Sequence, residues 1–438
     1  MDPVDSDLQA RLLATLAGRG MAGSAALQAA LGRSQPTLSR LLAGLGSQLV
    51  VLGRGRRTRY ALPQAVLGQP AQQSLHAVTE DGRITPWGRL IFIRGDRVHV
   101  QAQGIDLLVQ GRLPWFLAPL RGEGFIGRQQ ARDLAAWGLP ANPEQWSLEQ
   151  TLFAALRLPD APGALVLGDR LGDGDGVGAA LAPAAPATDP DWDALAQATA
   201  GSLPAGSSAG GEQAKFLTRG ADGAPLLVKF SPPRDSPFGQ RWHDLLHAEV
   251  LALALLAEHG VPVAHCRIVE TARRTYLVSQ RFDRHGLHGR SHVVALHAVH
   301  DAFVQGPRQH WAATCRALAQ QRRLPAEAAA QAQALLHFGR LIGNTDMHFG
   351  NLSLRVAWAD FARGRFTLAP VYDMLPMRWR PDKHSGELGL LPFSPEAIDL
   401  QSAARPLALL FWQRAAQAPA LGAGFRALAR AMAQRLVV

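Results

Sequence analysis

A chain of 438 residues, 47% apolar and 18% charged, is long enough for two or three domains and too apolar to be disordered. It holds no run of about 18 uncharged apolar residues, and "MDPVDSD" at its start has no basic–apolar signal pattern, so a cytoplasmic protein with no membrane partner is expected. The net charge of +10 points to an anionic partner such as nucleic acid or nucleotide, unless the arginine excess is purely compositional.

In chain order, residues 7–62 show three helical patterns and then two short strands. "DLQARLLATLAG" lays Leu8, Leu12, Leu13 and Leu16 on one face. "SAALQAALG" opens on Ser24 and closes on Gly32. "SQPTLSRLLAGLG" takes Ser34 as N-cap and Pro36 in its first turn, with Leu38, Leu41, Leu42 and Leu45 inward. "VVLGRGRRTRYAL" reads as a hairpin with Arg54, Arg56 and Arg57 at its tip and Arg59 on the return strand. Residues 1–62 are therefore expected to form a winged helix-turn-helix for double-stranded DNA. Gln35, Thr37, Ser39 and Arg40 would reach base edges or backbone, and the arginine tip would touch phosphate or minor groove. A three-helix dimerisation module with a solvated basic hairpin is the alternative.

Alternation from Trp87 to Gly111, broken by Gly-Asp turns, predicts strands, and helical stretches follow to Leu158. A small mixed α/β domain is expected over 75–170, with no catalytic constellation. The Gly/Ala/Pro-rich stretch 171–192 reads as a linker, and a new unit is expected over 193–438. The two cysteines, Cys266 and Cys315, are too few and too far apart for a zinc site or a disulfide framework.

The chemistry concentrates in this last unit. Of 45 basic residues only Lys215, Lys229 and Lys383 are lysine, and two of them share one short region. An arginine-rich background that keeps lysine there implies that a compact ammonium is wanted. "GSSAGGEQAKFLTRGADGAPLLVKF" offers a small-residue loop able to cradle phosphate oxygens, then two strands, the second ending near Lys229. The helical "WHDLLHAEVLALALLAEHG" follows and carries Glu249. A strand lysine followed by a helix glutamate is how kinase folds grip nucleotide phosphates. Two further strand-like runs lead to "QRF", the expected hinge between an N-lobe ending near residue 284 and a helical C-lobe. Asp346 and Asn351 in "GNTDMHFGN" stand five positions apart, the spacing of a kinase catalytic base and metal-binding amide. Asp373 in "RFTLAPVYDML" suits a second magnesium ligand. Alone, the "NTDMHFGN" run reads equally well as a solvated Asx-rich turn.

Taken together, "SSAGGEQAK", "QRFDR", "GNTDMHFGN" and "APVYDM" resemble the HipA family of bacterial serine/threonine kinases, toxins of toxin–antitoxin systems. The resemblance runs from about Trp87 to the C-terminus and implies a bilobal, kinase-like α+β fold using ATP and Mg²⁺. It implies Asp346 as catalytic base and Asn351 and Asp373 as Mg²⁺ ligands. Lys229 would bind ATP phosphates beside Glu249. Gln280, Arg281 and Phe282 would hold adenine, with Asp283 near the ribose. The phosphate loop would comprise Ser208, Ala209, Gly210, Gly211 and Lys215, with autophosphorylation on Ser208 or Ser207. It implies a protein substrate in the translation machinery, such as an aminoacyl-tRNA synthetase, and an antitoxin partner or a homodimer. The fused N-terminal module is similar to that of the family's stand-alone branch. Two other functions compete: a small-molecule phosphotransferase, which usually has His where Asn344 stands, and a transcription regulator that only senses nucleotide.

Overall fold

The computed structural model describes residues 3–158, 160–168, 190–201, 213–381 and 392–437. Near its start, helices Pro3–Arg19, Ser24–Leu31 and Gln35–Leu45 close around leucines, of which Leu12, Leu16, Leu27 and Leu38 are fully buried. Gly32 takes φ +63°, which a glycine adopts without steric cost, and this ends the second helix. Strand Met21–Gly23 was not expected, because three residues are too few to show alternation. It pairs antiparallel with the return strand Arg59–Ala61, which also pairs with Val50–Leu52.

The far side of this small sheet is not free. Val50, Leu52 and Ala61 share a core with Ile91 and Ile93 of the next sheet. The amide of Gln64 bonds to Phe92 O at 2.9 Å and that of Arg94 to Leu62 O at 3.1 Å. The first 62 residues are thus docked on the unit that follows.

That unit is a five-stranded antiparallel sheet in the order Ile105–Gln110, Arg97–Ala102, Ile84–Ile93, Gln72–Val78, Leu165–Leu167. Helices Gly124–Asp133 and Leu148–Ala155 accompany it; the second starts on a reciprocal Ser147/Gln150 capping box. Its aromatic core runs on into the C-terminal half: Trp87 lies edge-on to Phe361 with centroids 5.4 Å apart, and Trp115 to Phe366 at 5.1 Å. The sequence boundary near 171 therefore does not divide the core. Of the expected linker 171–192, residues 171–189 lie outside the described residues.

The rest forms two lobes. A four-stranded antiparallel sheet, in the order Cys266–Glu270, Thr275–Gln280, Pro225–Phe230, Lys215–Arg219, lies against helix Pro237–Glu258. Below it stand helices Leu296–Phe303, Trp311–Gln320, Ala326–Leu341, Arg405–Gln417 and Ala423–Val437. A small sheet of Val293–Ala295, Ser353–Arg355 and Thr367–Leu368 completes the lobe. This is the expected bilobal, kinase-like α+β arrangement.

Candidate active site

Lys229 and Glu249 are 5% and 2% exposed, and charges so buried persist only when paired. Strand Pro225–Phe230 and helix Pro237–Glu258 bring them together: Lys229 Nζ donates to Glu249 Oε1 at 2.6 Å and Oε2 at 2.7 Å. The same ammonium donates to Asp373 Oδ1, and the Asp373 amide donates to Glu249 Oε1 at 3.2 Å. One lysine thus joins a strand, a helix and the loop after Thr367–Leu368.

Burial works against the Lys229 ammonium, but the carboxylates of Asp373 and Glu249 outweigh it and hold its pKa above the usual lysine value. Burial would raise the Asp373 carboxyl, yet Lys229 and then Lys215 hold it below the ordinary carboxylate range. Lys215 lies directly across the ladder from Lys229. Glu249 is raised by burial against the pull of Lys229. Asp373 also sits at φ +54°, a left-handed conformation costing roughly 1–2 kcal/mol for a residue with a Cβ.

The opening run of the catalytic loop is fixed by its own polar groups. The chain leaves helix Ala326–Leu341 and turns at Gly343, φ +80°, where a Cβ would lie 2.8 Å from the Phe393 ring. Asn344, 5% exposed, then acts as a clamp. Its Oδ1 accepts the Asp346 amide at 3.0 Å and its Nδ2 donates to the Asp373 carbonyl at 3.1 Å. Asn351 Nδ2 donates to the Asp346 carbonyl at 2.7 Å. The Asp346 backbone is thereby held at both ends, while its half-buried carboxylate carries no hydrogen bond among the described residues. His348 Nδ1 accepts the Gly350 amide at 3.0 Å, and Trp311 Nε1 donates to the His348 carbonyl at 3.0 Å, so His348 braces the loop.

Fit to a divalent ion can be judged from the donor set. Because Asn351 Nδ2 is committed to Asp346, its Oδ1 is the atom left for a metal, and Asp373 supplies an ionised carboxylate. Amide and carboxylate oxygens suit Mg²⁺. Asn351, Asp373 and Lys229 therefore fit a metal-bound polyphosphate.

The residues expected to hold adenine and ribose lie where the four-stranded sheet meets the middle unit. The amides of Gln280 and Arg281 bond to His265 O at 2.9 Å and Pro225 O at 3.1 Å, so these two donors are committed to the fold. Phe282 stacks on Tyr372 with centroids 5.5 Å apart, and its carbonyl accepts from Arg355 at 2.8 Å. Asp283 is 5% exposed: its Oδ2 accepts the Gly163 amide at 2.9 Å and both its oxygens meet Arg281, with Arg284 alongside. Arg281 and Arg284 also hold Asp160. The "QRFDR" charges thus stitch the hinge to the middle unit.

Ser207, Ser208, Ala209, Gly210 and Gly211 lie outside the described residues. At the other end of the chain, Gln35, Arg40, Arg54, Arg56 and Arg57 are exposed and Thr37 is half-buried. Gln28 Nε2 donates to Gln35 Oε1 at 2.6 Å across the interhelix turn. Residue-by-residue reading missed the clamp at Asn344, although an Asn two positions before an amide it can accept is a readable Asx-turn signal. It assigned no role to Tyr372 of "APVYDM", whose hydroxyl donates to the Gly350 carbonyl at 2.7 Å.

Comparison with known proteins bears on this geometry. Residues 207–437 match the HipA-like C-terminal domain, and residues 69–173 match the middle domain of YjjJ-like toxins. Toxin YjjJ of Escherichia coli K12 is 34% identical over 432 residues, covering 94% of each chain. The chain belongs to the HipA-like family. Among solved structures, HipA of Shewanella oneidensis, in a complex with HipB and operator DNA, matches with a TM-score of 0.51 at 16% identity. That match covers 83% of this chain and 96% of that one, and it supports a HipA-like fold. The Helicobacter pylori kinase CtkA matches with a TM-score of 0.36 at 14% identity, over 54% of this chain and 91% of that one.

Proposed function

We propose that this HipA-like chain is an ATP- and Mg²⁺-dependent protein serine/threonine kinase, self-regulated by autophosphorylation and by DNA binding. The observation that carries the reading is the Lys229 ammonium held between Glu249 and Asp373, with Asn344 tying Asp373 to the Asp346 loop. Bound Mg²⁺·ATP supplies the phosphoryl group and spreads its developing charge. Lys229 holds phosphate oxygens, kept in place by Glu249. Asn351 Oδ1 and the Asp373 carboxylate would hold the metal. The carboxylate of Asp346, free of protein donors among the described residues, takes the proton from the attacking hydroxyl. Ser208 or Ser207 is the proposed autophosphorylated residue, in a phosphate loop of Ser208–Gly211 and Lys215.

The first 62 residues support a winged-helix reading: helix, strand, two helices, strand, arginine-tipped hairpin, strand. The third helix would enter the major groove of double-stranded DNA while Arg54, Arg56 and Arg57 meet phosphates. An antitoxin or a second copy of the chain is the proposed regulatory partner, and a translation component such as an aminoacyl-tRNA synthetase the proposed substrate. Incubation of the purified chain with γ-labelled ATP, Mg²⁺ and cell lysate should label Ser or Thr on this chain and on a second protein. Label confined to a small molecule would give the phosphotransferase reading instead. ATP binding with no label anywhere would sink the kinase and leave a nucleotide sensor.

A further inference from the structure

On the edge of the middle sheet a cavity of about 550 Å³ opens between strand Ile105–Gln110 and helix Leu296–Phe303. None of Lys229, Glu249, Asp346, Asn351 and Asp373 lines it, so it is separate from the kinase-like cleft. Ile105–Gln110 is the outermost strand, paired on one side with Arg97–Ala102 and on the other with no strand among the described residues. Residues of an antiparallel ladder bond alternately into the sheet and away from it. The Gly111 amide bonds inward to Asp96 O at 2.8 Å, and Ala102 faces Ile105 across the tight turn. Ile105, Leu107 and Val109 therefore bond within the sheet, and the N–H and C=O groups of Asp106, Leu108 and Gln110 point outward. The side chains of Ile105, Leu107 and Val109 line the cavity. Natural edge strands block unwanted pairing with proline, lysine, bulges or short length. This edge has no proline, lysine or register shift; Asp106 is its one charge.

Charge gives the second indication. Five arginines, Arg112, Arg121, Arg308, Arg323 and Arg363, line the cavity against three carboxylates: Asp301, paired with Arg308 at 2.9 Å, and Glu123 and Asp106, which meet His297 at 3.1 Å and His99 at 2.6 Å. Arg112, Arg121, Arg323 and Arg363 have no carboxylate in ion-pair range among the described residues. Arg112, Arg121 and Arg323 donate to carbonyl oxygens of Asp301, Pro143 and Arg363. A row of outward main-chain groups over an apolar floor, beside an excess of guanidinium over carboxylate groups, matches one chemistry.

We propose that this edge binds an extended acidic peptide of a partner protein as an added strand. Its main chain pairs with Asp106, Leu108 and Gln110, its apolar residues meet Ile105, Leu107 and Val109, and its carboxylates reach Arg112 and Arg363. The test uses the full chain and a fluorescent peptide of alternating Glu and Val, read by anisotropy at low salt. Saturable binding is expected, with slowed hydrogen exchange at the Leu108 amide. Methylating alternate peptide amides, or making R112E/R363E, should weaken binding by about tenfold or more. If that variant does not fold, the methylated peptide and the Leu108 exchange on the unaltered chain decide. No binding at low salt, equal binding of the methylated peptide, or displacement by inorganic phosphate at matched ionic strength overturns the proposal; the last two reveal a plain anion site.

Discussion

At the scale of single residues, side chains that hold the catalytic-loop backbone stand beside a carboxylate, that of Asp346, with no hydrogen bond among the described residues. Asn344 spends both polar atoms of its amide on backbone, and Asn351 Nδ2 and His348 Nδ1 do likewise. Asp346→Asn should therefore leave stability within about 0.5 kcal/mol and leave ATP binding intact. Phosphoryl transfer should fall by about 10²–10⁴-fold, the worth of a general base. Transfer at the unaltered rate would remove Asp346 from the base role. Asp373 behaves differently because it combines charge with a positive φ. Its loss still leaves Lys229 bonded twice to Glu249, so Asp373→Ala should fold yet lose Mg²⁺-dependent ATP binding. Asp373→Gly should lose the same binding but be more stable than Asp373→Ala by about 1 kcal/mol, since glycine takes φ +54° without a Cβ penalty. Equal melting of the two variants would show that the backbone strain is not there.

At the scale of elements, what was legible depended on pattern length. The long leucine-faced helices and the Lys229, Glu249 and Asp346 elements were readable because periodicity and motif spacing are local. Met21–Gly23 and Leu165–Leu167 were not, because three-residue strands are defined by distant partners, Ala61 and Leu75 among them. The burial of Asp283 was not legible for a related reason: its carboxylate accepts the amide of Gly163, more than a hundred positions upstream, and Arg281 and Arg284 beside it pair with equally distant Asp160. That same seam makes a pH prediction. His292 Nδ1 accepts the Ala164 amide at 3.2 Å, and burial pushes the imidazole pKa down to about 3. The unfolded chain, titrating near about 6.5, binds more protons than the folded one between these values. Stability should therefore fall as pH drops below about 6.5 and keep falling to near 3. Asp283, held low against its own burial by Arg281 and Arg284, adds a loss in the same direction only near and below about 3.9, where the unfolded aspartate protonates, and that loss is common to the unaltered chain and a His292 variant. His292→Asn keeps an acceptor for Ala164 and removes the titration, so its melting temperature should vary less between pH 6.5 and 4. Identical slopes for the two proteins would place the acid sensitivity elsewhere.

At the scale of the whole molecule, the sequence reading treated residues 1–62 as an independent module, and the packing does not. Val50, Leu52 and Ala61 bury their face against Ile91 and Ile93, so an isolated fragment would expose a surface the chain covers. Binding to DNA is accordingly to be measured on the full chain. Arg54, Arg56 and Arg57 lie at the exposed tip of the hairpin, and the third helix keeps Gln35 and Arg40 exposed as well. Contacts to phosphate release counterions, so affinity for duplex DNA should fall steeply with salt, with a slope that lessens by about 0.9 for each phosphate contact removed. Arg56→Ala/Arg57→Ala should thus weaken binding to all sequences alike and flatten the slope by about 2. Gln35→Ala and Arg40→Ala should instead change which sequence is preferred, since side chains on a groove-bound helix read base edges. None of these positions belongs to the buried seam with Ile91 and Ile93, so phosphoryl transfer should be unchanged in all of them. If the full chain fails to bind any duplex even at low salt, residues 1–62 are a dimerisation or docking device. Their exposed arginines would then be a solvated face.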